Sequence, residues 1–294
     1  MIQYFGQLLK FKLSITVVFS AMIGYLLGFD QFNLQHFSYL IFGGFLVTGS
    51  ANAFNQVLEK EKDKLMARTL IRPLPQGNLT VIQAGIFAFI IGTVGLFLLN
   101  KINPQGTFYG VMSKSSFFGL ISILLYVLSY TPLKRVSTIS IFVGAIPGAI
   151  PFLLGYVAAT DNFDLAAGIL FAIQFFWQFP HFIAISWVQH EDYTKAGFKM
   201  LFGGEKNKYP AMISIFTSFF MTGVSILPFF IDISGLGLSS YSFILVLLLG
   251  LWFTLKSVRL YQNIDDVSAR ELMLSSFAYL PIMQIVFVID RFLF

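Results

Sequence analysis

Nine stretches of roughly 20 apolar residues, each nearly free of charge, divide this chain, and that pattern leaves few folds open. They lie at about 13–29, 37–57, 80–99, 109–130, 138–158, 165–187, 210–231, 236–254 and 272–290. In the hydrocarbon of a bilayer every backbone N–H and C=O must be bonded internally, so only helices and closed barrels cross it. Barrel strands alternate in polarity with period two. These runs are apolar throughout, so they read as helices. Soluble domains carry about 25% charged residues; this chain of 294 has 11%. The expected architecture is therefore all-α and polytopic, one domain over 1–294 with nine transmembrane helices in a lipid bilayer. With no Cys, disulfides, thiolate nucleophiles and zinc–thiolate sites are excluded.

The basic residues set a sidedness. With the N-terminus placed in the cytoplasm, the inner segments hold Lys10, Lys12, Lys60, Lys62, Lys64, Arg68, Arg72, Lys134, Arg135, Lys195, Lys199, Lys206, Lys208, Lys256, Arg259 and Arg270. Of the 19 Lys and Arg, the other side keeps Lys101, Lys114 and Arg291. That is a positive-inside pattern, and it accounts for a net charge of +5 without a nucleic-acid partner. The first segment has neither the cleavage site of a secretory signal nor the Arg- and Ser-rich character of a transit peptide, which points to a bacterial inner membrane. The long inner loops, 58–79 and 188–209, follow the second and sixth spans. Their spacing suggests two four-helix halves and a ninth helix, with the active-site loops on the cytoplasmic side.

Polar residues inside the spans are costly and mark function by default. Thr48, Asn52, Asn55, Glu59 and Asp63 recur every three or four residues and share one helical stripe, while Glu61 falls off it. An amide followed by two carboxylates offers oxygen ligands to a hard divalent cation such as Mg²⁺, which takes few protein oxygens and completes its shell with water and phosphate. A helix end simply reaching the cytoplasm is the plainer alternative. Arg68 and Arg72 follow, with guanidinium forks suited to phosphate, although any inner loop gathers such residues. A second stripe, Gln174, Gln178 and His181, lies in the aromatic run around Trp177, and Asp192 returns to that face if the helix continues. Interhelical hydrogen bonding explains the two glutamines equally well. Gly144, Gly148, Pro151 and Gly155 line one face of the fifth span, where a neighbouring backbone or a flat ligand could come close, and Pro147 and Pro151 should kink it.

Taken together, two loops bearing carboxylates, an excess of cations and an apolar interior suit a lipid-tailed anionic substrate. Neutralising a departing diphosphate would help break an allylic C–O bond.

The run Asn55-x-x-x-Glu59-x-Glu61-x-Asp63-x-x-Met66-x-Arg68-Thr69-x-x-Arg72-Pro73-Leu74 resembles the first signature of the UbiA-type intramembrane prenyltransferases. Tyr130-Thr131-Pro132-Leu133-Lys134-Arg135, Gly144-Ala145-x-Pro147-Gly148 and Trp177-Gln178-x-Pro180-His181-Phe182 with Asp192-Tyr193 look like the haem-farnesylating branch. Glu59 and Glu61 stand where that family usually has Asp. The resemblance implies that farnesyl diphosphate, haem B and water give haem O and diphosphate, with Mg²⁺ assisting. By the same resemblance Asn55, Glu59 and Asp63 would organise the metal and diphosphate. Arg68, Arg72, Lys134 and Arg135, with Tyr130, would grip diphosphate or haem propionates. His181 would face the porphyrin and Asp192 complete a second polar site, with Gln174, Gln178, Trp177 and Gly148 lining the substrate pocket. A haem A synthase or terminal oxidase assembly is the partner it implies. Two other readings stand beside it: prenylation of a quinone precursor or other aromatic acceptor, and a polytopic transporter. Against the transporter, the charges gather on one face instead of running through the membrane.

Overall fold

The structure is a computed structural model that describes every residue of the 294 except Tyr109 and Ser234. Among the described residues nine helices are long and apolar enough to span a membrane. A short helix α1 (Ile2–Leu8) precedes α2 (Phe11–Gly28), α3 (Leu34–Asp63) and α4 (Val81–Asn100). A small antiparallel hairpin, β1 (Thr107–Phe108) on β2 (Met112–Ser113), is the one departure from the all-α expectation among the described residues. Then come α5 (Lys114–Leu124), a wide π turn (Leu125–Tyr130) and α6 (Thr131–Leu133), which together make the fourth span. α7 (Ile139–Thr160), α8 (Leu165–Val188), α9 (His190–Lys195), α10 (Lys208–Phe230), α11 (Ser240–Asn263) and α12 (Asp266–Leu293) complete the chain.

Local chemistry explains the helix starts. Asn33, Ser113, Asp164, Asn207, Ser239 and Asp265 each turn a side-chain oxygen onto a backbone N–H of the first turn, and Thr80 with Gln83 forms a reciprocal capping box. Several helices outrun the apolar stretches: α3 continues to Asp63, α11 to Asn263, and α12 begins at Asp266. Hydropathy marks where lipid ends, whereas a helix goes on for as long as its backbone bonds are satisfied.

Packing follows the suggested halves. α2, α3, α4 and α5 contact one another in sequence, as do α7, α8, α10 and α11. The first helices of the halves, α2 and α7, lie against each other, and α12 closes the ring against α11, α8 and α2. The α2–α7 approach depends on small residues: a Cβ at Gly155 would stand 1.9 Å from the Ala21 carbonyl oxygen. Gly155→Ala is therefore expected to force the two backbones apart at a cost of about 1–3 kcal/mol. Its unfolding midpoint in detergent should fall clearly, while Gly168→Ala, whose methyl meets nothing within 4 Å, should not fall. Equal midpoints would refute this close contact.

Candidate active site

The last three turns of α3 carry Asn55, Glu59 and Asp63, which are 2%, 4% and 0% exposed. Helical spacing puts them on one stripe. The loop after α3 then folds back over it: Thr69 Oγ1 donates to the Asp63 carbonyl at 2.8 Å, tying residue 69 to the helix end. That turn brings Arg72 over the same carboxylate. Its Nη1 donates to both Asp63 oxygens, at 2.8 and 2.7 Å. Glu59 pairs instead with Lys134, whose Nζ is 2.5 Å from Oε1. The same ammonium lies 4.7 Å above the Tyr130 ring and 5.4 Å above that of Phe198, so two ring faces help hold a nearly buried cation. Glu61, off the stripe, is exposed and pairs with Lys64.

Lys134 reaches Glu59 because of the turn preceding it. Pro132 has no N–H to donate, and the helix widens to a π turn just before it. Thr131 Oγ1 donates to the Tyr126 carbonyl at 2.8 Å and accepts from Asn55 Nδ2 at 3.3 Å. Gly144 leaves room for the Tyr130 ring, since a Cβ there would meet it at 2.6 Å. Backbone N–H of Lys199 donates to the Lys134 carbonyl at 2.6 Å, which ties the two basic-end loops together.

Lys10 belongs to this cluster, although its position in the sequence indicates only sidedness. Its backbone is left-handed (φ 45°, ψ 58°) at the joint between α1 and α2, a conformation unusual for a residue with a side chain and one that collects at functional sites. The side chain is thereby turned inward, and Nζ donates to Asn55 Oδ1 at 3.3 Å. Burial, with Arg72 and Lys134 nearby, pulls its ammonium down to about 7 against the opposing pull of Glu59 and Asp63. A cavity of about 250 Å³ opens beside it, lined by Gln7, Lys10, Gln56, Arg68, Ile71, Arg72 and Pro73. On its rim Arg68 meets the Tyr193 hydroxyl; burial raises that phenol, and the guanidinium partly offsets the rise.

The remaining sequence candidates lie elsewhere. Arg135 is exposed and donates through Nη2 to the Leu58 carbonyl at 2.8 Å, bracing the side of α3 from outside. Trp177 and His181 face α12. Trp177 Nε1 donates to the Ser276 carbonyl at 3.1 Å, and His181 Nδ1 lies 2.8 Å from Ser276 Oγ, with its ring stacked on Trp177 at 4.4 Å. The Ser276 hydroxyl gives its hydrogen to the Met273 carbonyl at 2.6 Å. His181 Nδ1 must then be the donor to Ser276, which leaves Nε2 as the acceptor nitrogen. Gln178 lies against Gly148, where a Cβ would meet Nε2 at 2.5 Å, so the small face of α7 admits a side chain from α8. Asp192 does not continue the His181 face along an unbroken helix: α8 ends at Val188, the chain turns at Gln189, and α9 begins at His190.

Six groups thus converge at one end of the bundle: Lys10, Asn55, Glu59, Asp63, Arg72 and Lys134. Among the described residues no three His, Cys, Asp or Glu side chains gather as a ready metal cage. Two carboxylates and an amide on one face still suit Mg²⁺, which needs few protein ligands when phosphate supplies the others.

A bundle of membrane-spanning helices thus buries a carboxylate stripe against basic side chains at one end, an arrangement suited to a membrane enzyme that handles an anionic, lipid-tailed substrate. The sequence profile of the UbiA prenyltransferase family matches residues 17–280, and the chain belongs to that family. Over 292 residues it is 48% identical to the protoheme IX farnesyltransferase of Flavobacterium psychrophilum, covering 98% of this chain and 94% of that one. The protein of that name from Cytophaga hutchinsonii is 41% identical over 98% of both chains. Among solved structures, a digeranylgeranylglyceryl phosphate synthase superposes with a TM-score of 0.79 at 21% identity over 98% of each chain. A UbiA homologue from Archaeoglobus fulgidus bound to GPP and Mg²⁺ gives 0.69 at 15% identity, covering 97% of this chain and 99% of that one. The protein is a multi-pass membrane prenyltransferase, and the transporter reading is set aside.

Proposed function

We propose that the chain transfers a farnesyl group from farnesyl diphosphate to a vinyl group of haem B, with addition of water, to give haem O. The observation that carries the donor half is the pairing at the end of α3. Asp63 is held by Arg72 and Glu59 by Lys134, so each anion already faces a cation of the kind a diphosphate needs. Asn55, Glu59 and Asp63 would hold a Mg²⁺ ion, and Arg72, Lys134, Lys10 and Arg68 would turn toward phosphate oxygens. When bound, the metal supplies positive charge against the diphosphate as the C–O bond breaks. Lys134 and Arg72 add to that charge from a site with little water, where each interaction is stronger than in bulk solvent. The apolar bundle accommodates the hydrocarbon and shields the allylic cation. The vinyl carbon then attacks C1 of the farnesyl cation, and water captures the positive charge left beside the porphyrin.

The acceptor is argued from the relatives: full-length proteins at 48% and 41% identity carry the name protoheme IX farnesyltransferase. His181 supports it chemically, since its acceptor nitrogen is left open for a porphyrin-side ligand. The active-site end faces the cytoplasm of a bacterial inner membrane in this reading, because that end carries most of the Lys and Arg. A haem A synthase or terminal oxidase assembly would then take the product. Purified protein in detergent, given haem B, farnesyl diphosphate and Mg²⁺, should yield a porphyrin that has gained one farnesyl and one water by mass analysis. Prenylation of a quinone precursor in a parallel reaction, with haem left unchanged, would overturn the haem assignment.

A further inference from the structure

We infer that Gln178 and Gln174 hold the water that captures the carbocation formed on the acceptor; this rests on the haem reading above. Tyr130 sits against Gly144 of α7, and one turn deeper Gln178 sits against Gly148. Phe182, one helical turn from Gln178 on α8, packs 6.3 Å from the Tyr130 ring. A path therefore runs from the Lys134–Glu59 pair through Tyr130 and Phe182 to Gln178, and Gln174 stands one turn further in.

Both glutamines are deeply buried, 6% and 4% exposed. Gln174 Oε1 has no hydrogen-bond partner among the described residues, which is costly inside a protein and signals a polar ligand. The residues that follow each glutamine on α8 are aromatic: Phe175 and Phe179 lie 5.2 Å apart, and Phe142 packs against both. The other polar side chains of this stretch are committed, Trp177 and His181 to Ser276. Gln284, buried on α12, shows what a structural glutamine looks like here, donating to Ser20 Oγ at 3.1 Å. An amide can orient one water by accepting from it and donating to it, and aromatic faces tolerate a nearby cation.

The chemistry balances. Attack by the vinyl group on the farnesyl C1 leaves a cation on the carbon next to the ring. The oxygen of the held water forms a C–O bond to that carbon, and its proton passes to the released diphosphate. Without the water, the cation instead loses a proton from the adjacent carbon to diphosphate and becomes an alkene. The glutamines thus decide between an alcohol and an alkene.

The readout is the ratio of hydrated to dehydrated prenyl-haem, which does not depend on total rate. Gln178→Met and Gln174→Met keep side-chain length without the amide, and each should lower the ratio roughly tenfold, the scale of one lost buried hydrogen bond. Gln178→Glu, which can still accept from water, should restore much of it, and Gln284→Met should leave it unchanged. An unchanged ratio in both Met variants would overturn the inference. So would complete loss of transfer in variants that still unfold cooperatively and bind farnesyl diphosphate, because the glutamines would then serve the transfer itself. A wild type that gives no prenylated haem would overturn the haem reading and this inference with it, whereas prenylated haem with an unchanged ratio in the variants overturns this inference alone.

Discussion

Asp63→Asn should lower prenyl transfer by about 10²–10³ in kcat/KM, the scale on which removing one preorganised electrostatic group acts. The substitution keeps shape and takes away one of two negative charges in a buried oxygen set. Asp63 is fully buried, and both of its oxygens are aimed at one guanidinium nitrogen, so the loss falls on a group with a fixed partner and position. Mg²⁺ titration of the variant should show a higher half-saturating concentration, placing the loss at metal and diphosphate binding. Glu61→Gln is the informative companion. Glu61 is in the same acidic run but exposed and paired with Lys64, so its activity should stay within about twofold, as expected for an exposed pair worth less than about 1 kcal/mol. Equal losses in both variants would mean that the acidic run acts as a whole, and the stripe would lose its meaning.

The contrast between Asp63 and Glu61 was legible in the sequence because helical geometry alone separates them. Period and hydropathy similarly revealed the nine spans and the grouping of basic residues. What they could not reveal is which cation meets which anion. Arg72 reaches Asp63 only because Thr69 pins the loop to the end of α3, and Lys134 reaches Glu59 from 75 residues away in sequence by way of the π turn before Pro132. Lys10 is a stronger case. Its role depends on a left-handed backbone at the α1–α2 joint, for which neither Lys10 nor its neighbours provide a glycine as a clue. His181 stood out as a polar residue in an aromatic helix, yet its partner, Ser276, belongs to a helix 95 residues on. The glycine face of α7 was visible as a pattern, but which neighbour entered it was not: Tyr130 at Gly144, Gln178 at Gly148 and the α2 backbone at Gly155.

Arg72→Met should be among the most destabilising single changes at the site, and for a reason separate from catalysis. It leaves the Asp63 carboxylate buried without its cation, and breaking a buried pair from one side costs about 3–5 kcal/mol. Arg72 itself is partly exposed, at 19% of its side chain, against 0% for Asp63, so the penalty comes from the stranded anion more than from the lost arginine. The double variant Arg72→Met/Asp63→Asn should recover a large part of the stability, because the second change removes the charge that the first stranded. Such recovery in a double-mutant cycle is the signature of direct coupling. Adding Mg²⁺ alone should raise the unfolding midpoint of the Arg72→Met protein more than that of the wild type, since the metal supplies the positive charge that Asp63 has lost. The double variant should respond weakly to the same addition. If the two single losses simply add, Arg72 and Asp63 are not energetically paired, and the readiness of the site to receive a diphosphate would need another source of charge.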